Sequence, residues 1–137
     1  MERIRSLYNE AHLIQSICLE LIELTKGAKD PLVLGYHAAS LMVATKYLKN
    51  PFKIITEFNR AKNLLEEIIS ENFEEVELRY LRYSIQKNTP KFVGYYKNIE
   101  EDRLMIVQYI NGSDEATLRS HILLYLKGTE DMEDIRI

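Results

Sequence analysis

The sequence predicts an all-α protein of about six antiparallel helices arranged as stacked hairpins, and three observations lead there. Apolar residues recur at steps of three and four, as in Ile4, Leu7, Ala11, Ile14, Cys18 and Leu21, which is the period of a helix with one buried stripe. Proline occurs only as Asp30-Pro31, Asn50-Pro51 and Thr89-Pro90, each a capping side chain followed by the residue best suited to a first helical position. No segment alternates apolar and polar residues strictly enough to make a strand.

The first helix is expected near 3–26, carried by that stripe and stopped at Gly27. The second, near 31–48, starts at the Asp30 cap and is apolar nearly all round, from Leu32 to Ala44, so the other helices should surround it. The third, near 51–71, carries the stripe Ile54, Phe58, Ala61, Leu65 and Ile68. A fourth, near 74–88, is placed by Asn72 as cap with Glu75 three residues on, and by Leu78, Leu81 and Ile85. The fifth, near 91–110, has two possible origins. Thr89-Pro90 starts a helical turn, while Asn98 with Glu101 starts a second capping box; Gly94 between them either makes a bend that leaves Tyr95, Tyr96 and Asn98 on an irregular loop or lets two helices approach, with Tyr95 as a packing wedge. The sixth, near 114–127, begins at Ser113 with Asp114 and Glu115 in its first turn, where acids favour the helix dipole. Gly112 and Gly128 mark stops.

A chain of 137 residues is one domain by size and should bury very roughly 68% of its unfolded surface. Residues 1–128 are therefore read as one helical domain, followed by an acidic tail over 129–137 that is expected to be solvated. Hydrophobic residues make up 46% and charged residues 28%, a composition that excludes disorder and disulfide-dependent mini-folds. The net charge of −3 offers no global field for a phosphate backbone, so nucleic acid is not an expected partner. The least charged stretch, 31–45, is too short to span a membrane. Glu2, Glu10 and Glu20 interrupt every apolar run near the start, so the chain as given reads as cytoplasmic, or as periplasmic if a leader preceded it.

Catalytic chemistry finds little support. Phosphate-cradling glycine motifs and the nucleophile elbow are missing, and no histidine has a carboxylate three residues before it, as a di-iron helix bundle requires. Cys18, His12, His37 and His121 are too dispersed for zinc. No metal, cofactor or catalytic residue is expected.

One segment stands out. Leu78 to Arg103 contains Arg79 and Arg82, one turn apart on a helix face, and four tyrosines, a combination enriched at binding surfaces. The arginines either receive a partner's carboxylate or pair with Glu100, Glu101 or Asp102 of the next helix, with Tyr80 and Tyr83 filling the space between.

Two resemblances add to this. Leu34-Gly35, then Ala61, Leu65, Ile68 and Phe73 before a new helix, resemble the offsets of a tetratricopeptide (TPR) repeat and imply TPR-like helical hairpins. Leu34-Gly35-Tyr36, the run ELRYLRYSIQ over 77–86, Gly94-Tyr95 and Asn98–Asp102 resemble an uncharacterised family of small helical proteins from Bacteroidetes-type bacteria. That second resemblance implies export for many members and marks Arg79, Arg82, Gln86 and Asn98 as shared polar residues.

The function expected is a non-catalytic module that binds a protein or peptide in a groove lined by Tyr36, Arg79, Arg82, Tyr83, Gln86 and Tyr95. One alternative is a small-molecule binder or enzyme using an inter-helix pocket, with His37 as base and Arg79 or Arg82 as anion anchor. Another is a helical oligomerisation module built on the first helix.

Overall fold

The computed structural model describes residues 1–113 and 115–127. Among these residues the chain is all-α, with seven α-helices, two 3-10 turns and no strand. The chain forms two compact units, divided between Glu74 and Glu75.

The first unit holds α1 (Glu2–Ala11), α2 (Gln15–Thr25), α3 (Pro31–Ala44) with a 3-10 turn at Thr45–Tyr47, and α4 (Pro51–Glu71). Asp30 and Asn50 cap as their sequences require: Asp30 Oδ1 accepts from the backbone N–H of Leu32 and Val33, and Asn50 Oδ1 from those of Phe52 and Lys53. Each supplies an acceptor to donors that have no partner within the helix. Gly27, with φ +73°, turns the chain just after α2 in a conformation that side chains disfavour. Helix α3 packs against α1, α2 and α4, which is why its sequence is apolar on every side. Its Tyr36 ring, fully buried, meets Tyr8 of α1 edge to face at 5.5 Å. Ala38 and Ala39 give close approach with no exposed surface. Between α2 and α3, the buried Cys18 Sγ lies 3.5 Å from the Ser40 carbonyl oxygen, and burial pushes its thiol up to about 11.

The stripe expected to run unbroken from Ile4 to Leu21 is instead divided between two helices. Ile14 is extended at φ −131°, ψ 113°, and both Leu13 and Ile14 are exposed. The break is stabilised from a distance: Tyr47 Oη donates to the Ala11 carbonyl at 2.7 Å, and Lys46 Nζ donates to that of His12. Those two side chains take carbonyls that an unbroken helix would have used itself.

The second unit holds α5 (Val76–Asn88), a 3-10 turn at Lys91–Val93, α6 (Ile99–Gly112) and α7 (Ala116–Leu126). Helices α5 and α6 pack together. Three expected caps are corrected here. Asn72 ends α4, its side chain donating to the Ile68 carbonyl, and Glu75 caps α5. Ser113 ends α6, while Glu115 stands at the start of α7. Thr89 donates back to the Ile85 carbonyl rather than capping forward. The helix expected over 91–110 begins only at Ile99, because Gly94 adopts φ +84° and turns the chain. Asp114, the Gly128 stop and the 129–137 tail lie outside the described residues.

Candidate functional site

Every residue of α5 from Glu77 to Gln86 is buried, although half of them are polar or ionisable. Hydrophobic period alone cannot anticipate that. What makes it tolerable is the chemistry of the helix that follows.

Arg79, Arg82 and Gln86 stand at i, i+3 and i+7 on one side of α5. Opposite them is the first turn of α6, where acidic residues are favoured by the dipole. Asp102, with no exposed surface, accepts from three guanidinium nitrogens: Arg79 Nε at 2.7 Å, Arg82 Nε at 2.8 Å and Arg82 Nη2 at 2.9 Å. Arg82 thus grips the carboxylate with a two-pronged fork, the strongest form of a charged hydrogen bond in proteins. Glu101 closes the outer side, its Oε1 lying 3.2 Å from Arg79 Nη2 and its Oε2 3.6 Å from Arg82 Nη2.

The network continues into the loop. Glu101 Oε2 accepts from Asn98 Nδ2 at 3.2 Å. Asn98 is held at two further points by Gln86, whose Oε1 accepts from the Asn98 backbone N–H at 3.0 Å and whose Nε2 donates to Asn98 Oδ1 at 3.1 Å. Asn98 therefore starts α6 as its position implies, yet its side chain serves Gln86 and Glu101 instead of the helix's own N–H groups. At the other end of the loop, Asn88 Nδ2 donates to the Ser84 carbonyl and to Tyr125 Oη. Tyr125 also meets the rings of Tyr80 and Tyr83 edge to face, and Tyr80 meets His121. The hydroxyl of Tyr83 has no hydrogen-bond partner among the described residues.

The segment between these anchors carries Phe92, the most exposed large apolar side chain among the described residues. Phe92 is 90% exposed, Tyr96 47% and Val93 39%, whereas Tyr95 points inward and is buried. Lys91 and Lys97 are exposed at either end of the segment.

All six residues named from the sequence as lining a groove are buried. Arg79, Arg82, Tyr83, Gln86 and Tyr95 belong to the second unit and Tyr36 to the first. The first four come from one helix, and Arg79, Arg82 and Gln86 are joined through Glu101 and Asn98 in one network. His37 lies in the first unit with Nδ1 3.0 Å from Thr25 Oγ1. Its imidazole is held below the ordinary 6.5 chiefly by burial, against an opposing hydrogen bond to the Ile22 backbone. Sequence reasoning passed over Phe92 and Val93. The signal that could have found them is the run 78–99, which has five basic residues and no Asp or Glu.

Among the described residues no group of histidine, cysteine or carboxylate side chains has the arrangement of a metal site. No helix among them is long and apolar enough to cross a membrane. Comparison of the chain with family models, curated proteins and solved structures finds no match.

Proposed function

We propose that the chain is a non-catalytic, TPR-like helical module that binds a protein or peptide through the loop Lys91–Lys97. One observation carries this reading: Phe92 is 90% exposed on a loop whose following helix start is clamped by Gln86 and whose preceding helix end is held by Tyr125. A large apolar side chain on a tethered backbone is pre-organised, so a partner that covers it loses little loop entropy on binding. Aromatic anchors of this kind dominate the energy of protein interfaces. In this reading the buried arginines, Asp102, Gln86 and Asn98 are a frame, and Phe92, Val93 and Tyr96 make the contact.

The test is site-specific photo-crosslinking in cells of the source organism, with the reactive group at position 92 and, as control, at position 73, where Phe73 is 62% exposed. The expected result is a defined adduct at 92 and none at 73. The partner identified should then bind Phe92→Ser about tenfold or more weakly, the loss typical of an interface anchor, with helical content and melting unchanged. Equal labelling at both positions, or undiminished binding by Phe92→Ser, overturns the proposal.

A further inference from the structure

The loop is basic as well as aromatic. Of the five cations between Leu78 and Ile99, Arg79 and Arg82 are engaged by Asp102 and Glu101. Lys91 and Lys97 remain at the surface on either side of Phe92, Val93 and Tyr96, and neither makes an ion pair with a described residue. The nearest acids in sequence are already committed: Glu100 pairs with Arg103, and Glu101 with the arginines and Asn98. A chain of net charge −3 therefore presents a positive, apolar loop.

The same chain contains a segment of matching chemistry. Residues 128–137 read GTEDMEDIRI, with four carboxylates in a row of five positions interrupted only by Met132, followed by Ile135 and Ile137 around a single Arg136. The described part of α7 ends close to the origin of the loop. Tyr125, in the last turn of α7, accepts a hydrogen bond at 2.8 Å from Asn88, the last residue of α5, from which the loop departs. Ten residues of extended chain reach about 33 Å, so distance does not limit the contact.

We infer that residues 128–137 dock in cis on the loop Lys91–Lys97, with Glu130, Asp131, Glu133 and Asp134 against the two lysines and Met132 and Ile135 over the aromatic side chains. Tethering sets the effective concentration in the millimolar range, so a contact too weak to form between separate molecules is populated within one. The segment then competes with any external partner for the loop. The docking itself needs no such partner, so it stands or falls apart from the function proposed above.

The experiment uses the full chain with Ile137→Cys carrying a nitroxide. Cys18 is fully buried with its thiol pushed up to about 11, which leaves the new thiol as the reactive one. The expected result is that amides of Lys91–Lys97 lose roughly half of their peak intensity or more, as a tethered, largely populated contact requires, while those of Ala116–Leu118 at the far end of α7 lose little. Two variants should abolish the effect: Lys91→Glu with Lys97→Glu on the loop, and Glu130→Gln, Asp131→Asn, Glu133→Gln, Asp134→Asn on the segment, which alters no described residue. Broadening that persists in both variants reports tether length alone and overturns the proposal. Broadening that passes from labelled to unlabelled copies in a mixed sample assigns the contact to a second copy and overturns docking in cis. Loop amides that are unaffected in the wild type overturn it too, whether or not the loop then binds anionic phosphatidylserine vesicles.

Discussion

The two units bury their interiors by opposite means. In the first, α3 packs among small and apolar side chains, and two hydroxyls bond to backbone within three residues, Ser40 to the His37 carbonyl and Thr45 to that of Met42. In the second, a fully buried carboxylate is bound by two buried guanidinium groups, which Glu101 also meets, and a buried amide is held by Asn98. Apolar packing tolerates many neighbouring arrangements of similar energy, whereas a buried ionic network tolerates few, because each displaced group leaves another unpaired. The contrast accounts for where the exposed, fixed loop is found: it hangs from the unit whose interior has directional bonds to hold it.

The comparison breaks most sharply at Asp102. Asp102→Ala leaves two guanidinium groups buried without their central acceptor, and should cost about 3–5 kcal/mol. Hydrogen exchange should show protection lost across α5 and α6 and retained across α3 and α4. Replacing the whole set, Arg79→Met with Arg82→Leu and Asp102→Leu, should recover much of that loss. If the single variant leaves α5 and α6 protected, the network does not hold the unit.

A smaller effect is expected at the clamp. Gln86→Leu removes both bonds to Asn98 and strands its backbone N–H, at a cost of about 1–3 kcal/mol. Its signature is local: amide exchange should quicken over Tyr95–Glu101 more than along α5, and the binding assigned to Phe92 should weaken without any change at Phe92 itself. Uniform loss across both helices would show instead that Gln86 is an ordinary core residue.

The smallest expected effect belongs to the first unit and to pH. His37 is held below the ordinary 6.5 by burial, so the unfolded chain takes up a proton in a range where the folded chain resists it. Stability should therefore fall as pH drops through about 6.5 and level off once pH is below the depressed folded value. His12 is shifted in the same direction, also chiefly by burial. The thermal midpoint followed by α3 amide exchange between neutral and mildly acidic pH should decline, and His37→Gln should flatten that decline. A wild-type profile with no slope in this range would remove the assignment.

What could be read in the sequence follows the reach of the interactions. Asp30 and Asn50 each act on backbone two and three residues away, and both were legible. The division between α1 and α2 was not, because the groups that stabilise it, Lys46 and Tyr47, come from 34 and 36 residues further on. Arg79 and Arg82 were legible as one face and Asp102 as one of three candidate acids, but spacing is the same whether a face looks in or out. Asn72 and Ser113 are residues that suit either end of a helix: here both terminate one, Asn72 bonding back to the Ile68 carbonyl, while the Ser113 hydroxyl accepts forward from the Glu115 N–H. Phe92 escaped because nothing local distinguishes an exposed aromatic side chain from a core one. Only the surrounding polar frame does that.

The chain's single sulfhydryl gives one half of the molecule a built-in clock. Cys18 lies in the seam between α2 and α3, sealed from solvent and bonded toward Ser40, so an alkylating reagent reaches it only in molecules where that seam has parted. At low reagent concentration the rate of modification measures how often the seam is open at equilibrium, and at saturating reagent it measures how fast the seam opens. The second unit has no thiol among its residues and is silent to the same reagent, so mass spectrometry over time reads the breathing of α2 and α3 alone, with no label introduced and no residue changed.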